Sequence, residues 1–133
     1  MSDPSINFVD GVNWVQGSSN DDAIDAARYM SLIRKSRKAK KLAKKLSNAP
    51  IKMFKAKDIL RAAQLQALPI DNPDVAAKLA IIAAGTPLPP VYLIRGNVLK
   101  GRPLTIADGY HRVSAVYQTD ETADVPCQII NPG

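Results

Sequence analysis

Between Ala23 and Leu46 the chain contains neither glycine nor proline, whereas from Pro50 onward the two recur throughout. These residues are the strongest local breakers of regular structure, so the first stretch admits a long element and the second only short ones. Ser19-Asn20-Asp21-Asp22 supplies polar acceptors and early negative charge suited to a helix start. Ala23, Ala26, Ala27 and Met30 then keep helical spacing, as do Ala39, Leu42, Ala43 and Leu46. The pattern predicts one amphipathic helix reaching Leu46. At about 100° per residue, Lys38, Lys40, Lys41, Lys44 and Lys45 fall opposite its second apolar stripe.

That helix also accounts for the chain's charge. The formal net charge is +6, and Arg34, Lys35, Arg37, Lys38, Lys40, Lys41, Lys44 and Lys45 supply eight positive charges. Without those eight the remainder is at −2, so any polyanion-binding inference rests on this segment. Arg37, Lys38, Lys40, Lys41, Lys44 and Lys45 are the candidate contacts for DNA or RNA phosphates. The same residues also fit a merely solvated helix face. No aromatic residue is interleaved among them for base stacking, which argues against specific single-strand recognition.

Composition narrows the class further. Aromatics make up 5% of the 133 residues, so the core is mostly aliphatic. No apolar run approaches the 18 or so residues needed to span a bilayer, and Met1 to Asp10 lacks the features of a secretory signal. Cys127, the single cysteine, excludes an internal disulfide and a cysteine-based zinc site. The simplest reading is a soluble, cytoplasmic protein with no membrane partner.

Ahead of the helix, Ile6-Asn7-Phe8-Val9 and Val12-Asn13-Trp14-Val15 flank an Asp10-Gly11 turn signal. Two readings stand there: a small hairpin, or a loose tail whose Phe8 and Trp14 dock on the core. Beyond Pro50, Ile51 to Phe54 reads as a strand and Ala56 to Leu65 as a helix. Asn72-Pro73-Asp74 opens another helix that stops at Gly85. Strands follow at Val91 to Ile94 and Leu104 to Ala107, then a helix from Gly109 to about Gln118, and a closing strand from Val125 to Ile130. The expected fold is α/β (α+β), a small mixed sheet flanked by helices with an N-terminal amphipathic basic helix. Residues 1–49 form an extension and residues 50–133 the domain.

The junction Asp108-Gly109-Tyr110-His111-Arg112 carries the most chemistry. A helix's first turn presents unpaired amides and the positive end of its dipole, which attract anions. Gly109 permits close backbone approach, while His111 and Arg112 add donors, Arg112 as a planar fork suited to phosphate. Val113, Val116 and Tyr117 share a buried face, leaving His111 and Ser114 toward a ligand. Asp108 either caps the helix or holds a metal beside a bound nucleotide. Equally, such a junction serves many folds with no ligand at all.

Residues 51–130 resemble the ParB/sulfiredoxin superfamily, which includes ParB partition proteins, sulfiredoxins and a free-serine kinase. The matching pieces are Pro-Pro-Val-Tyr-Leu-Ile at 89–94, Leu-Thr-Ile-Ala-Asp-Gly-Tyr-His-Arg at 104–112 and Val-Pro-Cys-Gln-Ile-Ile at 125–130. The resemblance implies that a Gly-x-x-Arg box, here Gly109 and Arg112, grips nucleotide phosphates, with His111 matching the His-Arg pair of the sulfiredoxin and serine-kinase branches. It implies a nucleoside triphosphate with magnesium as the cofactor. Tyr110 stands where sulfiredoxins carry their catalytic cysteine, so thiol reduction is not expected, and Cys127 reads as a small buried hydrophobe. The helix-turn-helix and dimerisation modules of ParB are not expected here, so this is not a complete ParB. The serine-kinase branch uses a catalytic carboxylate near the start of the domain; Asp58 is the only acidic residue between Ile51 and Ile70, and it also fits an exposed helix face.

Three functions follow. One is a nucleotide- or phosphate-binding protein, an NTPase or phosphotransferase using Asp108, Gly109, Tyr110, His111, Arg112 and Ser114. Positioning and charge neutralisation do most of the work in such chemistry. Another is a non-specific nucleic-acid-associated module, ParB-like and nuclease-related, using the basic helix. The last is a non-catalytic protein-interaction module. Whether the protein is catalytic, and in what oligomeric state, is left open.

Overall fold

The computed structural model describes residues 6–17 and 20–132. Strands β1 (Ile6–Val9) and β2 (Val12–Val15) form an antiparallel hairpin. Asp10 and Gly11 both have positive φ, 48° and 87°, as the tightest hairpin turns require. The hairpin is no loose tail. Val15 N donates to Leu88 O and Leu88 N to Asn13 O, both at 2.9 Å, and Trp14 is fully buried. Phe8 points the other way and is 71% exposed.

The single helix expected from Ala23 to Leu46 is two helices, α1 (Asn20–Met30) and α2 (Ser36–Asn48), packed against each other. Neither Gly nor Pro marks the break; phase does. From Met30 to Ala39 an unbroken helix would turn by about 900°, leaving its two apolar stripes on opposite sides. Folding back at residues 31–35 brings Ala26, Met30, Ala39, Ala43 and Leu46 into one buried cluster with Tyr92, Ile94 and Ala107. Ser19, part of the expected helix start, lies outside the described residues.

The remaining elements are β3 (Ile51–Lys55), α3 (Ala56–Ala63), α4 (Pro73–Ala83), β4 (Val91–Ile94), a single 3-10 turn (Val98–Lys100), β5 (Thr105–Asp108), α5 (Tyr110–Thr119) and β6 (Asp124–Ile130). Asn72 caps α4 as its sequence signature predicts, its side chain accepting from the amides of Asp74 and Val75. The sheet order is β3-β6-β4-β5, with β4 and β6 parallel and the other pairs antiparallel. This is the expected mixed α+β arrangement.

β4 shows how the layers are assembled. All four of its residues are buried, and they alternate between two cores. Val91 and Leu93 join Ile59, Leu60, Val113, Val116 and Val125 beneath α3 and α5, whereas Tyr92 and Ile94 join the cluster beneath α1 and α2. Each large aliphatic side chain so buried contributes about 1.5–3 kcal/mol. Of the residues expected to form an extension, α1 and α2 therefore cover one face of the sheet, while Val12 and Trp14 of the hairpin join the core on the other. Gln128, buried in β6, fastens that face by donating to Ser47 O and Ala49 O at the end of α2. Among the described residues no helix is long and apolar enough to cross a membrane.

Candidate functional site

The β5–α5 junction forms as the sequence predicts. Gly109 sits between strand and helix with φ +112°, and a Cβ there would lie 2.5 Å from Val91 Cγ1. Only glycine accommodates both the conformation and the approach. Arg112, 5% exposed, turns inward. Its Nη1 donates to Pro89 O at 2.7 Å and Pro90 O at 3.1 Å, and its Nη2 to Asp108 Oδ2 at 2.8 Å. Asp22 of α1 lies 3.4 Å from the same Nη2. The guanidinium thus ties α1, the entry to β4 and the end of β5 together.

Two carboxylates around one guanidinium leave an excess of negative charge. Burial pushes the Asp108 carboxyl up, Arg112 pulls it down, and its hydrogen-bonded neighbour Asp22 and the charge of Asp25 push it up again, to about 7 in all. The adjoining cleft of about 540 Å³ is lined by Asp25, Tyr29, Asp108, Gly109, Tyr110 and His111, among others. Tyr110 and His111 stack with ring centroids 6.3 Å apart, the Tyr110 hydroxyl donates to Gln66 O, and His111 Nε2 lies 3.5 Å from Asp74 Oδ2.

Several expectations for this junction are corrected. Arg112 is expected to offer its fork to phosphate; its Nη1 and Nη2 instead meet protein oxygens. Ser114 was to face a ligand; it is fully buried and its Oγ accepts from Leu68 N at 3.1 Å, because its helix face packs against the 64–69 segment. Asp108 does not cap α5, since its carboxylate is drawn to Arg112. Among the described residues no group of three or more His, Cys, Asp or Glu side chains is placed to hold a metal. Cys127 is buried as expected, and that burial pushes its thiol up.

The opposite end of the sheet, where β4 and β6 finish, is built differently. Lys41, Lys44 and Lys45 of α2, Lys52 of β3 and Arg95 line a groove of about 830 Å³ floored by Ile129 and Ile130. Arg95 also lines a neighbouring cleft of about 580 Å³, with Arg34, Lys100 and Arg102. Among the described residues no carboxylate lines either. Among the described residues the ion pairs involve only His111 and Arg112 as cations, so none of these lysines and arginines is neutralised. Arg95 is oriented by Asn131, whose Oδ1 accepts from its Nε at 2.9 Å. Of the predicted nucleic-acid contacts, Lys41, Lys44 and Lys45 face this groove, Lys40 lies toward α1, and Arg37 and Lys38 are exposed on the first turn of α2.

The residues missed by sequence reasoning are Asp22 and Asp25 at the junction and Lys52, Arg95, Lys100 and Arg102 at the far end. A signal for the last three was present: residues 95–102 carry three cations and no acid. Comparison with family models, curated proteins and solved structures finds no match to this chain.

Proposed function

We propose that this protein is a nucleic-acid-associated module that grips the phosphodiester backbone in the groove between α2 and the ends of β4 and β6. The observation that carries the reading is the convergence of Lys41, Lys44, Lys45, Lys52 and Arg95 on one groove without a carboxylate. Such a surface neutralises consecutive phosphates and gains affinity from released counterions, with little dependence on sequence. Lys45 also lies in the last turn of α2, beside the negative end of its dipole, where a cation is favoured.

The experiment is a salt titration of binding to short duplex and single-stranded DNA, followed by fluorescence anisotropy. The logarithm of affinity should fall linearly with the logarithm of salt concentration. The Lys44→Glu, Arg95→Glu double variant should lower the magnitude of that slope by about 2, near 0.9 per phosphate contact on duplex. Absence of binding by the parent protein at low salt removes the reading.

Nucleotide binding at the β5–α5 junction, the function implied by the ParB/sulfiredoxin resemblance, stands second. The first turn of α5 and the adjoining cleft favour it. It requires Arg112 to exchange Asp108 and Asp22 for a phosphate, and calorimetry with ATP, CTP and GTP in magnesium tests it directly.

A further inference from the structure

The loop between β4 and β5 displays Val98 and Leu99 at 91% and 94% exposure. Isolated exposed hydrophobics are ordinary, but this pair is held out by a rigid device. Asn97 and Arg102 bond to each other through both backbone amides, at 2.8 and 2.9 Å. The Asn97 side chain accepts from the amides of Leu99 and Lys100, and Gly101 closes the turn with φ +65°. Gly96 packs so tightly on the 102–104 backbone that a Cβ would lie 2.5 Å from Arg102 O. The tip is therefore preorganised, and its apolar side chains stand almost wholly exposed.

Its surroundings say what kind of partner it meets. Lys100 and Arg102 belong to the same loop and, with Arg34 and Arg95, line the cleft beside it; Arg95 joins that cleft to the α2 groove. An aliphatic tip with these cations along one side, and with Arg61 and a single carboxylate, Asp58, in the cleft that Val98 and Arg102 line on the other, fits a partner that is anionic outside and apolar just beneath. Stacked base pairs between phosphate rows have that chemistry. So does an anionic lipid surface, but the tip carries no Trp or Tyr of the kind that anchors at lipid interfaces. For the same reason it offers single-stranded bases no ring to stack on. Aliphatic wedges do part the base steps of duplex DNA, while flanking cations hold the phosphates on either side.

We infer that the partner is duplex DNA, bound in a bent form with Val98 and Leu99 pressed against a base step. The inference rests on the nucleic-acid reading above. It goes further by naming the duplex as the substrate and the loop as the element that deforms it. Flexible pyrimidine–purine steps should then be favoured, because they cost least to kink.

The test uses the full chain and a short duplex labelled at both ends for energy transfer, with single-stranded DNA, duplex RNA and anionic vesicles as further probes. Binding should bring the duplex ends closer, and a duplex with a central TA step should bind roughly tenfold more tightly than one with a central A-tract. The Val98→Ser, Leu99→Ser variant, altered only at exposed positions, should melt like the parent and keep its salt-dependent binding, yet lose both bending and step preference. Binding without bending by the parent overturns the inference and leaves the nucleic-acid reading intact. Equal or tighter binding of single strands or duplex RNA assigns a different substrate and also overturns it. Vesicle binding that the variant loses, with duplex bending unchanged, gives the tip to a lipid surface. No duplex binding at low salt removes inference and reading together.

Discussion

The two ends of the central sheet treat charge in opposite ways. At the β5–α5 junction, Arg112 is enclosed by Asp108, Asp22 and two carbonyls, so its charge is spent within the fold. Where β4 and β6 end, Lys41, Lys44, Lys45, Lys52 and Arg95 face a groove with no carboxylate. The first end has the more recognisable sequence and the second the freer chemistry. A charge neutralised by its own protein stabilises the fold, whereas an unneutralised group is available to a partner.

The largest expected effect lies at the junction. Arg112→Ala should destabilise the protein by about 3–5 kcal/mol, because it removes a buried guanidinium that binds Asp108, Asp22 and two carbonyls at once. Lys should restore little, since a single ammonium cannot reach the same oxygens as the fork. Urea denaturation measures both variants. If Arg112→Ala unfolds like the parent and loses nucleotide binding instead, the comparison inverts and the junction becomes the ligand site.

A second effect comes from Asp108, whose carboxyl is pushed by burial from its ordinary 3.8 up to about 7. Across that interval the folded protein holds a proton that the unfolded chain has released. The resulting stabilisation is fully present below 3.8, is lost as pH rises, and is gone above about 7. Asp108→Asn should lack this component. Melting curves of parent and variant should therefore diverge in pH dependence between those limits, and parallel curves would mean that Arg112 keeps the carboxylate charged throughout.

The smallest effect on stability belongs to the far end. Lys44→Glu with Arg95→Glu should shift unfolding by no more than about 1 kcal/mol, part of it from a new negative charge near the end of α2. Its binding loss should meanwhile be the largest of any variant here. A large loss of stability would show these cations to be structural and dissolve the contrast.

Much of the fold was legible because its signals are local. The Asn72 cap, the Asp10-Gly11 turn, the short strands and the β5–α5 junction each depend on a few adjacent residues and their allowed backbone angles. The break between α1 and α2 was present as well, in the opposed phase of the two apolar stripes, but absence of Gly and Pro hid it. At the candidate site, the order Asp108-Gly109-Tyr110-His111-Arg112 foretold a strand-to-helix turn without saying which way Arg112 points. That direction depends on the Pro89 and Pro90 carbonyls at the entry to β4 and on Asp22 of α1, which join Asp108 around the guanidinium.

By itself, then, the sequence determined which segments are helix or strand, where the glycine bend falls, and that α2 is cationic on one face. Those properties follow from steric limits and periodicity within a few residues. Tertiary structure alone decided which charges survive. Folding α1 and the entry to β4 against the junction brought Asp22 and two carbonyls to the Arg112–Asp108 pair, so the charge that looked most functional is satisfied within the fold. Closing the sheet beside α2 brought Lys52 and Arg95 to the α2 lysines with no acid among them. Electrostatic free energy depends on distance and solvation rather than order along the chain, so it was fixed only when those elements packed.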